Sequence, residues 1–437
     1  MAIRFLNKKT QRFRFQTEDG DDASYVLIFG DEVDAPANAT GNDPEAVTYR
    51  GRDGTWTRPA LTRNRSTEMY FLDVEQGDAA FIVTPNNTKI LVDGGLRELA
   101  LGFLIWKYRL DQDGNQVTID HLVLSHADKD HVQGLIPLLR HPGIRVLNIY
   151  HNGIGLFDSG FNTSIGRRAG GRLHTLHSST DDLVGLDLAS GSQAVFADWI
   201  AEVDVSGATY QRLDSTAGVL NVDDPDIDVE IVGPILEPDG TLVWLGTKSK
   251  TINGHSLTFR FIHGAVRVFF SGDLNERGSR HLLDAPSGAL RLNAHVLKAP
   301  HHGSHDFDED LLAAVNPMIT VVSSGEIPDH GHPRASFLAA IGRASRGEAP
   351  LVFSTELAAL FVDAHDAEAT AGTGIADGLG DLDFDNDGNA SAEARRRFKK
   401  VLPGIINVRT DGSVLYAFRR VQQSYGWESY GPITPTL

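Results

Sequence analysis

The sequence predicts an α/β fold that carries its chemistry along one edge of a sheet. Apolar strand-like runs alternate with helix-like segments through the middle of the chain, the pattern of layered α/β architecture. Several of those runs end in histidine or aspartate. The densest case is Leu124-Ser125-His126-Ala127-Asp128-Lys129-Asp130-His131, where four metal-ligand side chains follow an apolar run.

Residues 1–66 hold short β-like pieces, Tyr25–Phe29 and Val47–Tyr49, between turn-rich stretches, and read as a small β-rich N-terminal extension. Residues 67–437 read as the main domain. Its first part alternates strand and turn: Met69–Asp73, Ala80–Val83 and Ile90–Val92, with Asp93-Gly94-Gly95 after the last. A helix is expected over 96–108, a strand at His121–Ser125, a helix around Leu135–Arg140 and a strand at Ile144–Tyr150. Residues 152–225 look irregular and read as an insertion. Strands follow at Val229–Val232, Leu257–Ile262 and Val266–Phe270, the last two forming a hairpin through Gly264. Further strands are expected at Val296–Lys298 and Ile319–Val322. Residues 357–403 read as a second insertion. Within it, Asp383-Phe384-Asp385-Asn386-Asp387-Gly388 matches half of a calcium loop. The closing acid is missing, because Ala394 stands at the twelfth position, so a solvated loop is expected. The basic stretch Arg395–Lys400 reads as a solvated helical face, with phosphate contact as the alternative.

Composition sets limits. The chain has 437 residues and no cysteine, which removes disulfides, thiolate metal sites and a cysteine nucleophile. The formal charge of −18 argues against a broad basic surface for duplex DNA. No apolar run is long enough to span a bilayer, and the N-terminus lacks the apolar core of a signal peptide, so a cytoplasmic protein without membrane contact is expected.

The chemistry centres on His126, Asp128, Asp130 and His131. Two imidazoles and two carboxylates packed this closely repel one another and cost desolvation when buried, and a divalent cation removes both penalties. Nitrogen and oxygen donors in this mixture suit zinc and paired metal sites. More donors sit at other strand ends: Asp93, Asp273 in Phe270-Ser271-Gly272-Asp273, and His301 and His302 in Lys298-Ala299-Pro300-His301-His302-Gly303. His332 in Gly331-His332-Pro333 and His255 in Asn253-Gly254-His255-Ser256 complete the set. The remaining histidines lack ligand spacing.

The order of these motifs resembles the metallo-β-lactamase fold superfamily, and within it the branch containing the hydrolase domain of ComEC-type competence proteins. The likeness runs through Phe71–Asp78, Leu91–Gly95, Ser125–His131, Phe270–Asp273, Leu297–Ser304, Ser324-Gly325-Glu326 and Gly331-His332-Pro333, and closes at Asn407–Gly412. The resemblance implies a four-layer αββα sandwich with a metal site at one edge. It implies that His126 and Asp128 bind a first metal, that Asp130 and His131 bind a second, and that Asp273 bridges them. His302, His301 or His332 would complete the shell. Asp128 stands where much of the superfamily has histidine. Many members also supply a histidine from the region just before the bridging aspartate, which makes His255 a candidate. Asp93 is expected to orient the cluster, while Asp73 and Asp78 read as turn and supporting residues. Lys298 reads equally as a structural lysine or a contact for an anionic substrate.

The implied chemistry is hydrolysis by a hydroxide activated between two divalent metals, zinc expected and manganese the alternative, with Asp130, His131, Asp273 and His302 as the catalytic set. His302 or His332 would protonate the leaving group. The favoured substrate is an anionic phosphodiester, in DNA, RNA or a nucleotide. A small-molecule ester, thioester or lactam hydrolase of the same fold is the alternative. A non-catalytic metal-stabilised module is disfavoured, because a structural site needs no aspartate shared between metals.

Overall fold

The computed structural model describes residues 2–17, 20–36, 45–57, 60–285, 292–325, 331–347, 350–355, 404–420 and 427–436. Glu326, the Asp-rich segment 381–388 and the stretch Arg395–Lys400 lie outside the described residues.

Two large sheets stack face to face between two layers of helices, the αββα sandwich. The first has nine strands in the order Thr209–Arg212, Ile144–His151, Val117–Val123, Lys89–Val92, Ala80–Val83, Thr67–Phe71, Ile406–Thr410, Leu415–Arg420 and Trp427–Ile433. The second has seven: Val219–Leu220, Ile227–Gly233, Thr258–His263, Val266–Phe270, Val296–Lys298, Ile319–Val322 and Leu351–Ser354.

Strand alternation explains the layering. Side chains of period two face opposite sides of a sheet. Ile82, Val92 and Val123 point between the sheets and meet Phe259, Val268 and Phe270 from the other side. Their neighbours Phe81, Val83, Leu91 and Leu122 face outward, against the helices Leu99–Tyr108, Leu135–Arg140 and Val195–Ser206. On the second sheet Phe269, Leu297 and Val322 face the helices Glu276–Asp284, Glu309–Val315 and Ala335–Ala344. Both faces of both sheets are covered, which is why the strands read as nearly continuous apolar runs. Phe71 and Phe270 stack across the gap between the sheets, with ring centroids 5.9 Å apart.

The parallel strands position the site. In the first sheet Lys89–Val92, Val117–Val123, Ile144–His151 and Thr209–Arg212 run parallel. In the second, Val266–Phe270, Val296–Lys298, Ile319–Val322 and Leu351–Ser354 do the same. Ligands gather outside the carboxyl ends of such strands. Asp93, His126, Asp273 and His302 each follow one of those ends.

The span 152–225, expected to be irregular, contributes a helix and an edge strand. Val195–Ser206 buries Phe196, Trp199, Ile200 and Val203, a spacing of three and four that makes one apolar helical stripe. Strand Thr209–Arg212 then extends the nine-stranded sheet.

Strands between Ala2 and Thr62 form a separate seven-stranded antiparallel sheet around Leu6, Phe13, Leu27, Val47 and Trp56. Arg409, on strand Ile406–Thr410, ties it to the sandwich. Its guanidinium pairs with Asp31 at 2.9 Å, donates to the Phe29 carbonyl at 2.7 Å and donates to the Tyr70 hydroxyl at 3.0 Å. Among the described residues, no helix is long and apolar enough to cross a membrane.

Candidate metal centre

Local geometry brings distant donors together. Asp128 lies in extended conformation at the start of the short helix Lys129–Val132, so the chain turns sharply between His126 and His131. Their ring centroids are 4.1 Å apart. Gly272, at φ +49°, passes so close to Ser256 and Ser125 that an added Cβ would lie 2.6 Å from Ser256 Cβ. That approach delivers Asp273 to the cluster. His301 and His302 both have left-handed backbone, φ 48° and 55°, which is unusual for residues with a side chain.

Asp273 is the hub. Its Oδ2 lies 3.2 Å from His302 Nε2, 3.5 Å from His131 Nε2, 3.9 Å from His301 Nε2 and 4.0 Å from His126 Nε2. His126 Nε2 is 3.7 Å from Asp128 Oδ2, and His302 Nε2 is 3.7 Å from Asp130 Oδ2. The ligand atoms of His126, His131 and Asp273 lie within 4.8 Å of one another, and so do those of Asp130, His131 and His302.

The far sides of the three inner rings are all engaged. His131 Nδ1 donates to Asp93 Oδ2 at 2.9 Å, and His126 Nδ1 donates to Ser125 Oγ at 3.0 Å. His302 Nδ1 donates to the Ser323 carbonyl at 3.1 Å. Ser125 in turn donates to both Asp93 oxygens, from its backbone nitrogen and its hydroxyl, at 2.7 Å each. These bonds place each proton on Nδ1 and leave Nε2 aimed inward. The Nε2 atoms of His126, His131 and His302 and Oδ1 of Asp273 are buried and make no hydrogen bond among the described residues. Buried donors and acceptors without partners are costly. Divalent cations satisfy all four, so the residues present fit a metal centre.

The electrostatics agree. Burial opposes charge on His302, but Asp273 and Asp78 outweigh it and lift its pKa to about 9. His131 is likewise raised, burial being overcome by Asp273 and Asp93. His126 is pushed down to about 3 by burial and by His131. Burial and the neighbouring Asp130 push Asp128 up to about 7. The carboxylates thus favour positive charge at His131 and His302, the place where cations would supply it.

The other candidates separate. The His301 ring lies at the rim, a quarter exposed. The His332 ring stands 6.1 and 6.2 Å from those of His301 and His302, beside the cluster rather than within the convergent groups. His255 does not join them either. It is buried, its Nε2 donates to the Val243 carbonyl at 2.8 Å, and its ring packs edge-on against His281. The residue from that region that reaches the site is Asn253. With its amide nitrogen toward Asp128 Oδ2 at 2.9 Å, its oxygen faces His301 Nε2. Sequence reasoning placed the candidate at His255; Asn253, two residues earlier in the same motif, was the available signal. Lys298 is buried in an ion pair with Asp78, the placement of a structural lysine.

The profile of the metallo-beta-lactamase superfamily matches residues 72–323. ComE operon protein 3 of Bacillus subtilis (strain 168) is 24% identical over 304 residues, 66% of this chain and 32% of that protein. The chain therefore spans about a third of the length of that relative. Among solved structures, CmlA, a diiron beta-hydroxylase from Streptomyces venezuelae, is 12% identical with a TM-score of 0.33, over 68% of this chain and 54% of that one. A motif mutant of a metallo-beta-lactamase from Cronobacter sakazakii is 14% identical with a TM-score of 0.26, over 52% of this chain and 75% of that one.

Proposed function

The chain belongs to the metallo-beta-lactamase superfamily, in its ComEC-like branch, and from that premise we propose that it is a two-metal phosphodiesterase acting on DNA, RNA or a nucleotide. At the coarser level it is a metal-dependent hydrolase of that superfamily. The observation that carries the proposal is the set of three buried Nε2 atoms turned toward Asp273, each fixed from behind through Nδ1.

In this reading Asp130, His131 and His302 would hold one cation, His126 and Asp128 would hold the other, and Asp273 would serve both. Zinc is the expected occupant and manganese the alternative. Bound divalent cations supply an activated water at neutral pH and neutralise charge as the scissile group reacts. The protein's own part is to fix donors before substrate arrives: Asp93 and Ser125 hold His131 and His126, and Asn253 steadies Asp128 at the mouth. His302 is committed to the cluster, so His332 is the candidate for protonating the leaving group.

An anionic substrate is favoured by charge at the rim. Asp128, the most exposed of the cluster carboxylates at 34%, is flanked in sequence by Lys129, which is exposed. Lys248 is close enough for its charge to act on Asp128. Neither lysine has an ion pair among the described residues. Their charge suits a phosphate better than a neutral ester.

The test is a substrate panel: bis-p-nitrophenyl phosphate, single-stranded DNA and RNA, with zinc or manganese and with chelator. Metal-dependent cleavage of a phosphodiester is expected. If metal-loaded protein cleaves none but opens an ester, thioester or lactam, the small-molecule alternative replaces this reading.

A further inference from the structure

We propose that the buried Lys298–Asp78 ion pair sets the net charge of the metal centre: Asp78 lies beside His302 Nδ1, whose hydrogen bond goes to the Ser323 carbonyl, and Lys298 keeps Asp78 from becoming a ligand itself. The inference rests on the metal reading above.

Lys298 closes strand Val296–Lys298 and is 3% exposed. Its ammonium pairs with Asp78 Oδ2, while Asp78 Oδ1 lies 3.3 Å from His302 Nδ1. On the other side of the ring, His302 Nε2 is 3.2 Å from Asp273. Asp78 arrives through Gly77, at φ +102°, whose added Cβ would lie 1.8 Å from the Asp130 carbonyl oxygen. Only glycine allows that approach, so the loop carrying Asp78 is pressed against the metal-binding segment.

Asp78 has the reach of a ligand. Its carboxylate, Asp273 and the His302 imidazole offer donor atoms within 4.8 Å of one another. What holds it back is the ammonium on its Oδ2. A buried ion pair of this kind is a weak source of stability, because desolvation offsets the attraction. Its value lies in the charge count. Asp78, Asp93, Asp128, Asp130 and Asp273 are five carboxylates around the centre. Two divalent cations supply four positive charges and Lys298 supplies the fifth.

The two partners therefore act with opposite sign. In Lys298→Met, Asp78 is freed and uncompensated, and the centre holds metal more tightly, by about tenfold. In Asp78→Asn, His302 loses the anion beside its Nδ1 and Lys298 remains beside the cations. Affinity falls by about ten- to a hundredfold, the range seen when groups supporting a metal ligand are removed. Asp78→Asn combined with Lys298→Met leaves a neutral pair of similar shape and returns close to the parent, and Lys298→Arg does the same by keeping the charge.

The experiment is zinc and manganese titration of the full chain in competition with a chromophoric chelator, with the visible spectrum of the cobalt form as a second readout. The cobalt bands shift in Lys298→Met, as Asp78 enters the ligand set, and stay in place in Lys298→Arg. Single variants that change affinity in the same direction, or not at all, overturn the proposal, since a merely structural pair weakens binding from either side. If a single variant does not fold, the double variant decides: an affinity within about threefold of the parent supports the proposal, and a tenfold loss overturns it. A parent chain that binds no divalent metal fails the functional reading itself, a distinct result.

Discussion

Asp93 Oδ2 lies 2.9 Å from His131 Nδ1, behind a ring whose Nε2 faces Asp273. Asp93 has left-handed backbone, φ 56°, a conformation asparagine tolerates and alanine does not. Asp93→Asn keeps the shape and an acceptor oxygen but removes the charge that makes His131 a strong donor. Metal affinity should fall by about tenfold, and by up to about a hundredfold in Asp93→Ala. Chelator competition measures both, and equal affinity in all three proteins would remove Asp93 from the metal's support.

Metal should stabilise the fold. A cation that binds only the native state adds about 4 kcal/mol at a thousandfold excess over its dissociation constant. The melting temperature should therefore rise by several degrees on adding zinc or manganese and fall back with chelator. Asp273→Asn removes the hub and should abolish the shift. A melting temperature indifferent to both metals would end the metal assignment.

Asn253 and His255 make opposite predictions. Asn253→Ala releases Asp128 and His301 at the rim and should cut turnover by about tenfold or more while leaving the melting temperature close to the parent. His255→Ala empties a buried site and leaves the half-buried Val243 carbonyl without its donor. It should cost about 1–3 kcal/mol of stability and leave metal stoichiometry unchanged. Loss of a metal equivalent in His255→Ala would restore it as a ligand.

The sequence announced the ligand types and their places at strand ends, because histidine and aspartate after apolar runs are costly without a purpose. Continuous apolar runs such as Ala80–Val83 also announced strands buried on both faces. Other features were illegible for physical reasons. Asn253 carries a neutral amide on a short helix and offers no charge pattern to notice. Lys298 and Asp78 meet only when strands from the two halves of the sandwich come side by side. The helix Val195–Ser206 was visible in the spacing of Phe196, Trp199, Ile200 and Val203, but the surrounding Gly, Ser and Asp clusters masked it. Nothing in the local sequence of Arg409 says that it anchors Asp31.

Stability should fall in acid in two stages, for reasons remote from the metal centre. Burial holds His177 neutral and pushes its pKa down to about 4. The unfolded chain takes up that proton below about 6.5 and the folded chain does not, so stability declines as pH falls from about 6.5 to 4. Glu68 acts lower. Burial alone would raise its pKa, but Lys107, Arg409 and Arg65 more than offset it and hold it at about 2. Folded Glu68 stays ionised where the unfolded chain is already protonated, so its contribution is complete above about pH 4.5. It is lost as pH falls toward 2, and amounts to about 3 kcal/mol. Arg409→Met removes one of those cations and leaves Asp31 and Glu68 buried without it. It should cost about 3–5 kcal/mol at neutral pH and make the acid limb below 4.5 shallower, because Glu68 then protonates closer to its unfolded value while Lys107 and Arg65 still hold it lower. Urea unfolding from pH 7 to 3 measures both effects, and an acid limb identical in Arg409→Met and the parent would show that Arg409 does not hold Glu68 ionised.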